Sequence, residues 1–382
     1  MIQQTRFNFD SPVDRRRTAS LKWDKYQGRD IIPLWVADMD FRSPPAILEA
    51  LHARIDHGVF GYTAAPQTLV AAVIAHLQDQ YNWTIDPHWL VWLPGLVCGL
   101  NVACRAVGAA DDEVLTFTPV YPPFMTAPTL MERALVKVPL RLRGSRWEMD
   151  LEALEGAITP RSRLFLLCNP HNPVGRVWTE TELLGLAQLA ERHGLIICSD
   201  EIHAGLILDA DRRHLPLAQL VPEIARRTIT LHAPSKTFNI PGLGCSYAVI
   251  ADQALRKSFI RAMAGIVPHA NLLGYAASEA AYRHGEPWRL ELIDYLRGNR
   301  HLVLEAVARM PGLSVTPVEA TYLAWIDTRQ SGIANPERFF EQAGVGLSDG
   351  AAFGLPGFVR LNFGCPRPLL IEALKRMQAA LS

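Results

Sequence analysis

The stretch LIICSDEIH, residues 195–203, places two adjacent carboxylates and a histidine directly after the short apolar run Leu195–Cys198. Six further apolar runs are also too short for helices, and several are rich in β-branched residues, which is typical of buried strands. They are Leu90–Leu93, Val114–Thr118, Leu135–Val138, Leu164–Cys168, Thr228–Leu231 and Tyr247–Ile250.

Helical patterns lie between these runs, as at Pro66–Tyr81 and Glu180–His193. The second pattern begins after Thr179, with Glu182 three residues further on, as in a helix capping box. Strands that alternate with helices predict an α/β fold with a mostly parallel, seven-stranded sheet covered on both faces. Ligands of such sheets bind beyond the carboxyl ends of the strands, so the residues after each run are the candidates for chemistry.

A chain of 382 residues exceeds the size at which single hydrophobic cores stop growing, so two domains are expected. After about residue 285 the pattern changes to a long amphipathic helix, roughly Pro287–Arg309, then the strand-like pieces Tyr322–Ile326 and Phe358–Phe363, and a terminal helix from Pro368. This change predicts a smaller α+β domain. The expected division is an N-terminal segment that packs on the small domain (residues 1–40), a large domain (41–284) and a small C-terminal domain (285–382).

Charge and cysteine usage narrow the class of protein. Lys+Arg and Asp+Glu are balanced at 38 each, so no basic field favours nucleic acid as a partner. The six cysteines lack paired CxxC spacing, which favours buried thiols in a reducing compartment over disulfides or a metal site. The N-terminus shows no apolar signal region, and no segment has the ~20 uninterrupted apolar residues of a membrane span. We therefore expect a cytoplasmic protein without membrane contact.

A lysine follows one of the predicted strands. Residues 228–239, TITLHAPSKTFN, lead from a strand into Ser235 and Lys236, and the turn PGLG follows at 241–244. Taken singly, Asp200 can be a helix cap and Lys236 a surface charge. Taken together at neighbouring strand ends, they fit pyridoxal 5′-phosphate, an aldehyde that attaches to a lysine and whose ring nitrogen needs a carboxylate partner.

A third strand is followed by CNPHNPVG, residues 168–175, which taken singly is a turn. In this order, NPxNPxG, SDEIH and SKTFN resemble the aspartate aminotransferase superfamily of fold type I pyridoxal-phosphate enzymes. Within it, the chain most resembles the MalY/PatB-type cystathionine β-lyases, or C–S lyases, over nearly its whole length. The further matching pieces are LWVADMDF (34–41), FGYT (60–63), LPGLV (93–97), TPVYPPF (118–124), TYLAWID (321–327) and VRLNFGCP (359–366).

The resemblance implies a role for each matching residue. Lys236 would hold the cofactor and move the Cα proton of the substrate, and Tyr121 would assist by fixing the ring or steering protons. The ring would be held by Asp200 at the pyridine nitrogen, Asn172 and His203 at the phenolic oxygen, and Tyr121 and Ile202 on the two ring faces. The phosphate would be held by the backbone N–H groups of Leu96 and Val97 and the hydroxyls of Ser235 and Tyr62.

In this family the tyrosine matched by Tyr62 comes from the other subunit, so the resemblance implies a homodimer with its active site at the interface. An ordinary surface aromatic is the alternative for Tyr62. Arg360 would bind the α-carboxylate of a small amino-acid substrate, together with Asn172 and the backbone around Ala37. A structural ion pair is the alternative for Arg360. Four aromatic residues either shape the substrate pocket or belong to the core: Trp35, Phe124, Tyr322 and Phe353.

Three functions remain open from the sequence. The first is β-elimination from L-cystathionine or a related L-cysteine S-conjugate, which gives pyruvate, ammonia and a thiol. The second is transamination, since the cofactor-binding motifs of the two reactions are shared. The third is a binding or regulatory protein on a retained enzyme fold. Ala233 stands where classical aminotransferases commonly offer a hydroxyl to the phosphate, which favours the lyases.

Overall fold

The computed structural model describes residues 7–382. The α-helices are α1 (Leu21–Asp24), α2 (Pro45–Asp56), α3 (Gln67–Tyr81), α4 (Leu96–Ala106), α5 (Pro123–Leu130), α6 (Leu151–Ala157), α7 (Glu180–His193), α8 (Leu217–Leu220), α9 (Pro222–Ala225), α10 (Gln253–Met263), α11 (Leu272–His284), α12 (Glu286–Ala308), α13 (Pro336–Gln342) and α14 (Arg367–Ala380). The strands are β1 (Ile32–Pro33), β2 (Leu90–Leu93), β3 (Glu113–Thr118), β4 (Ala134–Pro139), β5 (Arg141–Arg143), β6 (Arg146–Glu148), β7 (Ser162–Cys168), β8 (Ile196–Asp200), β9 (Thr228–His232), β10 (Ser246–Val249), β11 (Ser314–Val315), β12 (Leu323–Asp327), β13 (Val345–Gly346), β14 (Ser348–Asp349) and β15 (Phe358–Asn362).

The seven predicted runs form one seven-stranded sheet in the order β2-β10-β9-β8-β7-β3-β4. Every neighbouring pair is parallel except those of β10, which runs antiparallel to both β2 and β9. The prediction of an α/β fold with a mostly parallel sheet is therefore confirmed. Cys168 pairs with Asp200, and Asp200 with Leu231, so the carboxyl ends of β7, β8 and β9 meet at one edge.

Helix α7 shows how local sequence signals set the elements that cover the sheet. The hydroxyl of Thr179 accepts a bond from the backbone N–H of Glu182, whose carboxylate accepts from the backbone N–H of Thr179 at 2.9 Å. The helix ends at Gly194, which has the left-handed φ of 68° that glycine adopts at low cost. Its leucines Leu183 and Leu186 are fully buried in the core cluster beneath the sheet.

The C-terminal part of the chain forms a second, four-stranded antiparallel sheet in the order β11-β12-β15-β14. Helices α12 and α14 pack against each other, and their buried residues join the apolar cluster of this sheet. Near the N-terminus, β1 pairs in parallel with β13, with Ile32 opposite Val345. Helix α11 ends at His284 and α12 begins at Glu286, close to the predicted boundary between residues 284 and 285. The division of the chain into domains at residues 40 and 284 stays a prediction.

No helix within residues 7–382 is both long and apolar enough to cross a membrane. Across the same residues, no three His, Cys, Asp or Glu side chains lie close enough together to hold a metal ion.

Candidate active site

A cavity of about 270 Å³ lies beyond the carboxyl ends of β7, β8 and β9, where the topology of a parallel sheet places a ligand. Polar and apolar residues from distant parts of the chain line it. The predicted site residues found there are Ala37, Leu96, Val97, Tyr121, Asn172, Asp200, Ile202, His203, Ser235, Lys236 and Arg360. The structure therefore brings together every predicted site residue except Tyr62.

Lys236 lies in the turn that follows β9, and its Nζ donates a hydrogen bond to the backbone carbonyl of Ala37 at 2.5 Å. Removal from water lowers the pKa of this amine to about 8, and the positive charge of Arg360 acts in the same direction. The carboxylates of Asp38 and Asp200 partly oppose this shift. A sizeable fraction of the amine is thus neutral near pH 7.5, as a nucleophile or general base requires.

Asp200 is the last residue of β8 and is buried. Burial raises the pKa of its carboxyl to about 7, and the adjacent charge of Glu201 adds to the rise. The backbone N–H of Ile202, which donates to Oδ1 at 3.1 Å, and the amine of Lys236 oppose it. A buried carboxyl of this kind is ready to become a carboxylate once a protonated ring nitrogen lies beside it.

Helix α4 begins at the cavity wall. Its N-cap residue is Gly95, which offers no side chain to the free N–H groups of the first turn. Leu96, Val97 and Ser235 line the same part of the cavity. The positive end of the helix dipole and a nearby hydroxyl make this the place for an anion such as a phosphate.

Arg360 reaches the cavity from β15 and is buried. Its Nη1 donates to Oδ1 of Asn172 at 3.1 Å, and its Nη2 donates to the carbonyl of Trp35 at 2.8 Å. Its Nε is buried without a hydrogen-bond partner, and the guanidinium lies 4.7 Å from the centre of the Phe353 ring. Burial lowers the pKa of Arg360 to about 10, so the group stays charged at neutral pH. It has no carboxylate partner among the described residues, which leaves it free for the carboxylate of a substrate.

His203 and Tyr121 lie on different elements of the cavity wall. Burial lowers the pKa of His203 to about 3, so its ring is neutral, and its buried Nδ1 has no hydrogen-bond partner among the described residues. Burial raises the pKa of Tyr121. The backbone N–H of Tyr121 donates to the carbonyl of Asn172 at 3.1 Å, which ties the loop after β3 to the loop after β7.

Tyr62 lies outside the cavity on the protein surface, beside the exposed side chains of Val59 and Phe60. Of the four aromatic residues left open by the sequence, Phe124 lines the cavity. The other three support its walls: Tyr322 donates to the carbonyl of Ala37 at 3.0 Å, Trp35 donates to the carbonyl of Lys22 at 3.1 Å, and Phe353 lies against Arg360.

The sequence predicts a role for Asp200 but none for Glu201, the adjacent carboxylate of SDEIH. Glu201 is fully buried on the other side of the strand end, where it accepts from Nε2 of His214 at 2.7 Å and lies 3.3 Å from Nε2 of His232. Burial alone would raise its pKa, but the two histidines hold it at about 2. The alternation of side chains along a strand is the signal that distinguishes the two acids.

Residues 29–377 match the model of the family described as aminotransferase class I and II, and the chain belongs to that family. It is similar to the cystathionine β-lyase PatB of Bacillus subtilis (strain 168), with 39% identity that covers 98% of this chain and 100% of that protein. The resemblance inferred from the motifs is thus confirmed.

Two solved structures show the same fold. The crystal structure of OvoB is similar at 48% identity and a TM-score of 0.96, covering 98% of this chain and 99% of that one. The structure of cystalysin from Treponema denticola, which contains a pyridoxal 5′-phosphate cofactor, is similar at 32% identity and a TM-score of 0.95, covering 98% of each chain. The prediction of the pyridoxal-phosphate-dependent fold type I is confirmed.

Proposed function

We propose that this protein is a pyridoxal-phosphate-dependent C–S β-lyase that cleaves L-cystathionine or related L-cysteine S-conjugates to pyruvate, ammonia and a thiol. The observation that carries the proposal is the single cavity that joins the amine of Lys236, the buried carboxyl of Asp200 and the uncompensated charge of Arg360. The full-length similarity to a protein named cystathionine β-lyase supports this reaction.

Each chemical group of pyridoxal phosphate has residues in the cavity that could bind it. Lys236 would hold its aldehyde carbon, and Asp200 would pair with its ring nitrogen. The first N–H groups of α4, at Leu96 and Val97, and the hydroxyl of Ser235 would hold its phosphate. Asn172 and the unpartnered, neutral ring of His203 would donate to its phenolic oxygen. Tyr121 and Ile202 would cover its two faces.

When bound, pyridoxal phosphate withdraws electrons from the substrate and so stabilises negative charge at Cα. Arg360 binds the α-carboxylate through its forked donors, and the side-chain oxygen Oδ1 of Asn172 keeps the guanidinium in place. Lys236, with its lowered pKa, takes the proton from Cα. The electron pair of the broken C–H bond forms a double bond to Cβ, and the Cβ–S bond breaks.

Lys236 and Tyr121 are the groups placed to return a proton to the departing sulfur. In the remaining three-carbon fragment a proton shifts from nitrogen to Cβ, and water then displaces the nitrogen from Cα, which yields pyruvate and ammonia. The buried walls around Phe124 and Tyr322 limit the access of other water molecules to the reacting atoms.

We further propose a homodimer in the cytoplasm, with Tyr62 of each subunit completing the phosphate site of the other. Val59, Phe60 and Tyr62 are all exposed, and Val97 at the cavity is 45% exposed. Exposed apolar side chains that adjoin one another favour a protein partner over water. The free cysteines, of which five are buried, support a reducing compartment.

Transamination is the alternative, because the family model that the chain matches is that of aminotransferases. The experiment is to incubate the yellow protein with L-cystathionine without any keto acid and to follow pyruvate and free thiol. Equal release of both over many turnovers, lost in Lys236→Ala, is the expected result. Conversion of the cofactor to its amine form in a single turnover, with further turnover only after a keto acid is added, would identify an aminotransferase.

A further inference from the structure

The segment WVADMDF, residues 35–41, places Val36 and Ala37 on the cavity wall and contains none of the predicted catalytic side chains, and we name it the strap. The carbonyl of Ala37 accepts hydrogen bonds from Nζ of Lys236 and from the hydroxyl of Tyr322. The carbonyl of Trp35 accepts from Arg360. The strap therefore touches both the predicted cofactor-binding lysine and the predicted substrate-binding arginine.

Side chains from three parts of the chain hold the strap. Asn362 donates from Nδ2 to the carbonyls of residues 36 and 38, at 2.7 and 2.8 Å. Asn239 accepts from the backbone N–H of Met39 at 2.9 Å. Asp40 is buried and pairs with Nζ of Lys22 at 2.7 Å and with Nη1 of Arg15 at 2.7 Å. A backbone tied at so many atoms leaves its neighbouring side chains little freedom to move.

Asp38 is the strap residue next to Ala37 and has no role in the proposed cofactor or substrate contacts. Its Oδ2 pairs with Nη2 of Arg15 at 2.5 Å. Its Oδ1 is buried, accepts no hydrogen bond and lies 4.0 Å from Nζ of Lys22. One carboxylate oxygen is thus fixed by Arg15, while the other accepts no hydrogen bond and faces the ammonium of Lys22 at 4.0 Å.

We propose that Asp38, held by Arg15, is a positioning residue that sets how readily the side-chain nitrogen of Lys236 holds a proton. The inference rests on the proposed function for Lys236 and adds the ion pair of the strap to it. Arg15 and Asp38 act in opposite directions, because the arginine compensates the negative charge that the aspartate places beside the lysine.

The charges around Lys236 support this role. Burial has the largest effect on the pKa of Lys236 and lowers it. The carboxylate of Asp38 raises this pKa more than the carboxylate of Asp200 does. Arg360 lowers the pKa of Lys236. Among the other titratable side chains that line the cavity, His203 and Tyr121 are neutral near pH 7, and burial raises the pKa of the thiols of Cys168 and Cys245. A substrate carboxylate that pairs with Arg360 cancels the lowering effect of Arg360 on the pKa of Lys236. The negative charge of Asp38 then helps Lys236 to accept the Cα proton.

The test is the pH dependence of the visible absorbance of the cofactor bound at Lys236, measured on the holoenzyme without substrate. Asp38→Asn keeps the shape of the side chain and removes the charge, so the absorbance transition is expected to move to lower pH by on the order of one unit. Arg15→Gln is expected to move it to higher pH, and Asp38→Glu to restore it toward the wild-type value. Arg29 lies on the same N-terminal segment as Arg15 and forms an exposed ion pair with Glu341. Arg29→Gln is the control: it removes this charge and is expected to leave the transition unchanged.

The opposite signs distinguish an electrostatic role from a structural one. If the ion pair only braced the strap, Asp38→Asn and Arg15→Gln would move the transition in the same direction, and this result would overturn the inference. Unchanged transitions in both variants would also overturn it, while the proposed function would stand. A protein that binds no cofactor and shows no visible absorbance would overturn the proposed function and the inference with it.

Discussion

The raised pKa of Asp200 makes the stability of the cofactor-free protein depend on pH. The pKa is about 7 in the folded protein against the usual 3.8. Because the folded value is the higher one, the protonated carboxyl contributes stability that is full below pH 3.8 and is lost as the pH rises through 7. With ~1.4 kcal/mol per pKa unit, linkage gives a contribution of about 3 kcal/mol at pH 5 and almost none at pH 8.

The perturbation is Asp200→Asn, whose amide stays neutral at every pH. Groups that do not interact with residue 200 contribute equally to both proteins, so the difference in free energy of unfolding reports the Asp200 carboxyl together with its coupling to Lys236 and Glu201. We expect the cofactor-free wild type to lose about 3 kcal/mol relative to the variant between pH 5 and pH 8. Urea unfolding followed by tryptophan fluorescence at several pH values measures this difference.

The control is Asp211→Asn, since the side chain of Asp211 is 81% exposed and its replacement should give a difference that does not change with pH. Restoring the cofactor should abolish the pH dependence at Asp200, because the protonated ring nitrogen then stabilises the carboxylate. A wild-type minus Asp200→Asn difference that stays constant, or grows with pH, would refute the reasoning.

Two further perturbations test the substrate contact and the buried ion cluster. Arg360→Lys replaces a forked donor by a single ammonium and is expected to raise KM by about 10- to 100-fold with the cofactor absorbance unchanged, measured by steady-state kinetics; an unchanged KM would contradict the role of Arg360. Glu201→Gln removes the charge that His214 and His232 share in a buried site and is expected to cost about 3–5 kcal/mol in urea unfolding. A loss below about 1 kcal/mol would show that the cluster is not ionised.

The central sheet was predictable from the sequence because its strands carry continuous apolar runs, and each of the seven runs overlaps an observed strand. The ends of the strands were predicted less accurately. The run at Leu195–Cys198 corresponds to β8, Ile196–Asp200, whose last two residues are polar. Polar residues at the end of a buried strand are a property of the site, so hydrophobic patterning alone ends the strand too early.

The candidate site was predictable as far as motifs name individual residues. Eleven of the twelve predicted site residues line one cavity. The exception, Tyr62, is exposed in the single chain, and the role proposed for it requires a second subunit. The roles of Phe353 and Tyr322 could not be read from the sequence, because contacts between residues far apart in the chain decide whether an aromatic side chain faces a ligand or supports a wall.

The ion pairs of the strap could not be predicted from the sequence either. The motif WVADMDF indicated the family that the chain resembles. It did not indicate that Asp40 pairs with the fully buried Lys22 or that Asp38 pairs with Arg15. These pairs form only when the N-terminal segment folds back on the strap. Nonlocal packing thus creates the electrostatic environment of the lysine, whereas local sequence determines only which residues are available.

The central claim is that the chemistry takes place at Lys236, and covalent labelling tests it most directly. Borohydride fixes the cofactor to the amine that holds it, and digestion followed by mass spectrometry locates the labelled peptide. We predict one label per chain, on the peptide that contains Lys236, present in Lys257→Arg and absent in Lys236→Arg. A label on another lysine, or retention of the label in Lys236→Arg, would contradict the account.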